Sequence, residues 1–132
     1  MFLIDTNIFL EVLLGQENKE ACKEFLDANA GNHFISDFSL HSMGVILFKN
    51  DKEKIFRTLL DDVITKVKVL TLSRNLYKDL AAVKNESNLD FDDAYQFKLA
   101  EEYGLTVITM DKDFKKVTEK VKVIFLNGSD AS

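Results

Sequence analysis

The stretch Leu105-Thr-Val-Ile-Thr-Met-Asp-Lys-Asp-Phe114 constrains this chain more than any other. Its first half is apolar and β-branched, the composition of a strand covered on both faces, and it predicts a buried strand at Thr106–Thr109. That strand runs into a carboxylate loop at Asp111 and Asp113. Gly104, just before it, suits the left-handed end of a helix. The helix in question opens with a second acidic pair, Asp92 and Asp93. The first apolar segment of the chain, Met1–Ile4, also runs straight into an acid, Asp5. Three carboxylate loops therefore stand at the ends of elements that can be neighbours.

The remaining segments alternate in the same way. Thr6 or Asn7 is placed to cap a helix through Ile8–Leu14, which Gly15 ends. Helical spacing of Ala21, Phe25 and Ala28 predicts a helix over Glu17–Asn29, with Cys22 on its inner face. His33–Ser36 reads as a strand, and Ser36 or Asp37 as the cap of a helix running to about Lys49. Asn50 or Asp51 starts another helix, with Ile55, Leu59 and Val63 on one face. Val67–Leu70 is a strand, Ser73 caps a helix to about Lys84, and Asn85–Asn88 is a polar break. Asp90 caps the helix through Tyr103, a turn covers Asp111–Lys116, and the last strand is Val121–Phe125. Five strands separated by helices predict a three-layer α/β/α domain built on a parallel sheet. The domain is expected over residues 1–126, followed by a frayed polar tail, Asn127–Ser132.

Composition narrows the function. The net charge of −5 disfavours nonspecific nucleic-acid binding, so any such binding must rest on a local basic patch or on metal. The single cysteine excludes an internal disulfide and suits a reducing compartment. No apolar run approaches the roughly 20 residues of a membrane span, and no signal-peptide pattern is present, so a cytoplasmic protein without membrane association is expected.

In an open parallel sheet, ligands bind beyond the carboxyl ends of the strands, where the strand order reverses. If the first and fourth strands are adjacent at that reversal, in an order 3-2-1-4-5, Asp5 and Asp111 converge. Asp93, in the first turn of the helix feeding the fourth strand, shares their rim. Clustered carboxylates raise one another's pKa, and a cation removes that cost. Oxygen-only ligands suit Mg²⁺ or Mn²⁺. A metal so held can activate a water and stabilise charge on a phosphoryl oxygen, the chemistry of a nuclease. Each acid also has an ordinary structural role open to it. Asp5 can cap a helix, Asp92 and Asp93 complement a helix dipole, and Asp111 and Asp113 can cap the turn that follows.

These residues resemble the PIN domain family, the fold of many prokaryotic toxin ribonucleases of VapBC-type toxin–antitoxin operons. Met1-Phe-Leu-Ile-Asp5-Thr6-Asn7 resembles the family's opening strand. Asp93-Ala94, Gly104 and Thr109-Met-Asp111-Lys-Asp113-Phe114 are similar to its C-terminal block. The resemblance implies a 3-2-1-4-5 sheet and a Mg²⁺- or Mn²⁺-dependent endoribonuclease. It also implies the toxin of a toxin–antitoxin pair acting on RNA, with an antitoxin protein and a homodimer as partners. It implies Asp5, Asp93 and Asp111 as metal-binding, catalytic acids, with Asn7 and Thr109 as polar supports. Asp92 is the competitor of Asp93, which is preferred because Ala94 follows it. Asp113 is expected to be outer-shell or structural. The family's usual Glu after the second strand is absent. His41 or Ser42 stands there, and Glu11 is a weaker substitute by position.

Lys112, Lys115, Lys116, Lys120 and Lys122 crowd the segment after Asp111 and can form a basic lip for an RNA backbone. A second function is a catalytically silent PIN-like module that binds RNA or a protein. A phosphatase would want an acid where Asn7 stands, a phospho-acceptor domain would want an Asp after the middle strand, and a dinucleotide site would want glycines after the first strand. None of these patterns is present.

Overall fold

The computed structural model describes residues 1–62 and 64–126. Five strands make one sheet: β1 (Phe2–Ile4), β2 (His33–Ser36), β3 (Lys68–Leu70), β4 (Thr106–Thr109) and β5 (Val123–Phe125). Every pairing is parallel and the order is β3-β2-β1-β4-β5, the expected 3-2-1-4-5. The flanking helices are α1 (Thr6–Leu13), α2 (Lys19–Ala28), α3 (Asp37–Lys49), α4 (Glu53–Asp62), α5 (Asp79–Ser87) and α6 (Phe91–Tyr103). Short 3-10 turns lie at Ile64–Lys66, Arg74–Leu76 and Lys112–Val117.

Strand side chains alternate between faces, so each central strand feeds two cores. Leu3 and Val107 are opposite one another in the β1–β4 register, as are Ile4 and Ile108. Leu3 and Val107 join Leu99, Ala100 and Phe114 on one face. Ile4, Ile35 and Ile108 join Ile8, Met43, Leu59 and Cys22 on the other. Burial on both sides is why these strands read as continuous apolar runs. Helices α3 and α4 pack closely at Gly44, where a Cβ would just touch the Phe56 ring at 3.4 Å.

Several boundaries differ from expectation, each for a local reason. Helix α1 begins at Thr6, because Asp5 is the cap and accepts from the Thr6 N–H at 2.8 Å. Helix α2 begins at Lys19 instead of Glu17, after Glu11 Oε2 accepts from Asn18 N–H at 2.8 Å and holds the preceding turn. The helix expected from Ser73 to Lys84 is divided into the Arg74–Leu76 turn and α5. Asn85–Ser87 complete α5 instead of breaking it. The break falls at Asn88, whose φ of 58° is a left-handed conformation that Asn tolerates. Strands β3 and β5 start one and two residues later than Val67 and Val121. Gly104 ends α6 at φ 65°, as expected. Val63 and the tail Asn127–Ser132 lie outside the described residues.

The order places β1 beside β4 at the reversal point. The carboxyl end of β1 leads to Asp5, that of β4 to Asp111, and the N-terminus of α6 comes to the same rim.

Candidate metal centre

One cavity of about 280 Å³ lies at that rim, lined by Asp5, Asn7, Ser42, Asp92, Asp93, Gln96 and Asp111, among others. Carboxylate oxygens of Asp93, Asp111 and Asp113 all lie within 4.8 Å of one another. Asp93 is buried, Asp111 is half-buried and Asp113 is exposed. Of the two roles expected for Asp113, outer-shell or structural, this proximity favours the first, and Asp5 lines the cavity without being part of that group of three.

Asp5 is held from several sides. Its Oδ1 accepts from Thr6 N–H at 2.8 Å and from Gln96 Nε2 at 3.3 Å, and its Oδ2 accepts from Thr109 Oγ1 at 2.7 Å. Thr109 Oγ1 in turn accepts from Asp111 N–H at 2.9 Å, so one hydroxyl spans the two acidic loops. Asn7 Oδ1 accepts from Met110 N–H at 3.3 Å and ties the start of α1 to the end of β4. Asp111 Oδ1 also caps its own turn, accepting from Asp113 N–H at 2.9 Å. The ordinary capping roles of Asp5 and Asp111 thus coexist with their place at the rim. Asp92 Oδ1 accepts from Asp93 N–H at 3.0 Å and lines the same cavity.

The electrostatics are those of crowded acids. Burial, then the charges of Asp111 and Asp92, push Asp93 up to about 8. Burial also raises Asp5, against the hydrogen bonds from Thr109, Thr6 and Gln96 that favour its charged form. A cation stands at the outer edge of the cluster, where Lys116 Nζ is 3.8 Å from Asp113. Lys120 is turned to Glu86 at 3.0 Å.

Ser42 lines the cavity, whereas His41 is exposed on α3 and does not line it. Glu11 is engaged with Asn18. Gln96 is the residue that sequence reasoning missed. It is 2% exposed, and its Nε2 donates to Ser39 Oγ at 2.6 Å as well as to Asp5, fastening α6 to α3 and β1. Its signal was spacing, since it falls three positions after Asp93 on the same helix face. Its Oε1 is buried with no hydrogen-bond partner among the described residues. Gln96→Leu removes both donated bonds, and chemical denaturation is expected to show a loss of about 1–3 kcal/mol.

A five-stranded parallel sheet with acids gathered at its reversal point defines an α/β domain of the PIN type. The PIN domain family profile matches residues 2–120, and the chain belongs to that family. No curated protein sequence matches significantly. Among solved structures, a toxin–antitoxin complex from Klebsiella pneumoniae is similar at 23% identity and TM-score 0.77, covering 96% of this chain and 98% of that one. VapBC2 from Rickettsia felis, bound to a DNA fragment from its promoter, is similar at 18% identity and TM-score 0.76, with 96% and 98% covered. VapC20 of Mycobacterium tuberculosis, a toxin that cleaves the sarcin–ricin loop, is similar at 16% identity and TM-score 0.76, with 87% and 93% covered. At these identities the likeness is one of fold. Among the described residues no helix is long and apolar enough to cross a membrane.

Proposed function

We propose that this chain is a divalent-metal-dependent endoribonuclease, the toxin of a toxin–antitoxin pair. The observation that carries the reading is the convergence of Asp93, Asp111 and Asp113 within 4.8 Å at the rim where Asp5 also opens. Membership of the PIN family and likeness in fold to toxins support it. An antitoxin protein, a homodimeric state and a cytoplasmic location belong to the same proposal.

The donor set fits Mg²⁺ or Mn²⁺. It is all oxygen, its crowded carboxylates hold a proton on Asp93 that a cation would displace, and Gln96 Oε1 is buried nearby without a partner among the described residues. Asp5, Asp93 and Asp111 would hold the ion, and the exposed Asp113 lies beside Asp93 and Asp111. When bound, the ion supplies an activated water and stabilises charge on the phosphoryl oxygen. The chain's own contributions are distinct. Thr109 and Gln96 aim the Asp5 carboxylate, and Thr109 fixes the Asp111 backbone through the same hydroxyl. Asp93 gives up its proton on ion binding. Lys116 places a cation beside the cluster for the RNA backbone. The test is incubation of a mixed-sequence single-stranded RNA with purified protein in Mg²⁺, Mn²⁺ or EDTA. Cleavage in metal and none in EDTA is expected; equal cleavage in EDTA, or none in either metal, overturns the reading.

One observation favours a silent binding module instead: Ser42, one of the two residues standing about where the resemblance leads one to expect a Glu, lines the cavity without a charge. Restoring the charge separates the two. Ser42→Glu is expected to tighten Mn²⁺ binding by about an order of magnitude, because ligand charge count sets affinity at such sites. Calorimetric titration reads the change.

A further inference from the structure

A second, larger cavity of about 550 Å³ lies between α5 and the start of α6, lined by Tyr77, Leu80, Lys84, Leu89 and Phe91, among others. Its size falls within the roughly 300–1,000 Å³ of small-molecule sites. The carboxylate cavity, at about 280 Å³, falls just below that range.

Two rings at this groove are left open to solvent, Phe91 at 58% and Tyr77 at 44% exposure. Both rest on the buried ring of Tyr95, at centroid distances of 6.5 and 5.9 Å. Tyr95 is immobilised: its hydroxyl donates to Asp37 at 2.7 Å and accepts from Leu72 N–H at 2.9 Å. Phe38, which lines the carboxylate cavity, packs against Phe91 at 6.3 Å and Tyr95 at 5.7 Å. A continuous run of rings thus leads from the acids to the groove, and Phe91 directly precedes Asp92 and Asp93.

Two lysines connect the carboxylate cluster to the groove through Asn88. Lys116, beside Asp113, donates to the Asn88 carbonyl at 3.3 Å. Lys84, at the groove, donates to the Asn88 side chain at 2.8 Å. In a chain of net charge −5, Asn88 thus joins two lysines, with Asp113 beside one and Asp90 in the groove with the other. Phosphates along a lysine strip and bases on aromatic faces are the two features of a single-strand site. Asp90, also at the groove, offers an acceptor to a base N–H.

We propose that this groove is a nucleobase subsite, in which Phe91 and Tyr77 stack a base of the RNA strand while Lys84 and Lys116 carry the backbone to the carboxylate cluster. The proposal rests on the ribonuclease reading for the identity of its ligand. The experiment compares wild type with Phe91→Ala on single-stranded RNAs that each carry one abasic site. Phe91→Ala is expected to lower kcat/KM roughly 5- to 150-fold, chiefly through KM, with the melting temperature little changed because the ring is exposed. One abasic position near the cut should cost wild type a similar factor and cost Phe91→Ala nothing further.

A parallel arm measures binding of a fluorescein-labelled single-stranded RNA in EDTA by anisotropy. Binding that depends on Phe91 without any cleavage upholds the subsite and removes the nuclease. Cleavage and binding that ignore Phe91→Ala overturn the subsite and leave the nuclease standing. Neither binding nor cleavage overturns both. A change in oligomeric state on Phe91→Ala, with RNA binding intact, assigns the groove to a second copy and also overturns the subsite.

Discussion

Asp93→Asn is expected to abolish metal-dependent cleavage while making the metal-free protein more stable. The cleavage loss should exceed about 100-fold, beyond the 10–100-fold usual for groups that only orient a ligand. The gain in stability follows from the site's electrostatics. Asp93 is 6% exposed and faces Asp111, Asp92 and Asp5, which with burial hold its pKa at about 8 against an ordinary 3.8. Between those values the folded chain retains a proton that the unfolded chain releases. Metal-free stability therefore falls as pH rises from about 4 to about 8, at up to about 1.4 kcal/mol per unit. The asparagine of the variant cannot ionise, so this contribution is absent from it. The advantage of the variant should be near zero at pH 4, grow with pH and level off above about 8, reaching about 1–3 kcal/mol near neutrality. Urea unfolding at a series of pH values, in EDTA and then in Mn²⁺, measures it. Saturating Mn²⁺ should reverse the order, because only wild type gains the linkage stabilisation of a bound ion.

Asp5→Asn is the second large effect, and it separates charge from structure in the opposite way. Asparagine serves as a helix cap about as well as aspartate, so the bond from Thr6 N–H survives at nearly constant shape. The Gln96 amide can still donate to the carbonyl oxygen of the substituted side chain, and the Thr109 hydroxyl can turn to accept from its amide. Stability should change by less than about 1.5 kcal/mol, whereas cleavage should fall by more than about 100-fold through loss of ligand charge. Thermal melts and initial cleavage rates, on protein purified in parallel with wild type, read the two quantities. Asp5→Ala is a useful contrast, since it also removes the cap and should cost a further ~1 kcal/mol.

The fold was legible because its central strands are buried on both faces. Leu3-Ile4 and Val107-Ile108 must each send neighbouring side chains to opposite cores, which leaves apolar runs that a helix-covered parallel sheet explains. The strand order was legible through the resemblance to the PIN family; the acids add only that Asp5 and Asp111 share a rim when β1 lies beside β4. Element ends were less legible because single side chains decide them: Asp5 for α1, Glu11 for α2, and the left-handed Asn88 for α5. Within the cavity, Asp5, Asn7, Asp92, Asp93 and Asp111 could be named from their places at element ends. Gln96 was signalled only by its spacing from Asp93, and its bond to Ser39 forms only when another helix arrives. The choice between His41 and Ser42 turned on about 100° of helical rotation, which apolar residues on most sides of that helix did not define.

The metal centre itself is tested most directly by a Mn²⁺ titration followed by electron paramagnetic resonance, on wild type and on Asp93→Asn and Asp111→Asn. Wild type should take up Mn²⁺ at a specific site, more tightly at pH 8 than at pH 6 because Asp93 must lose its proton, and each variant should lose that site. Absence of Mn²⁺ binding by wild type, or binding that survives in both variants, would contradict the assignment of these carboxylates as the centre on which cleavage depends.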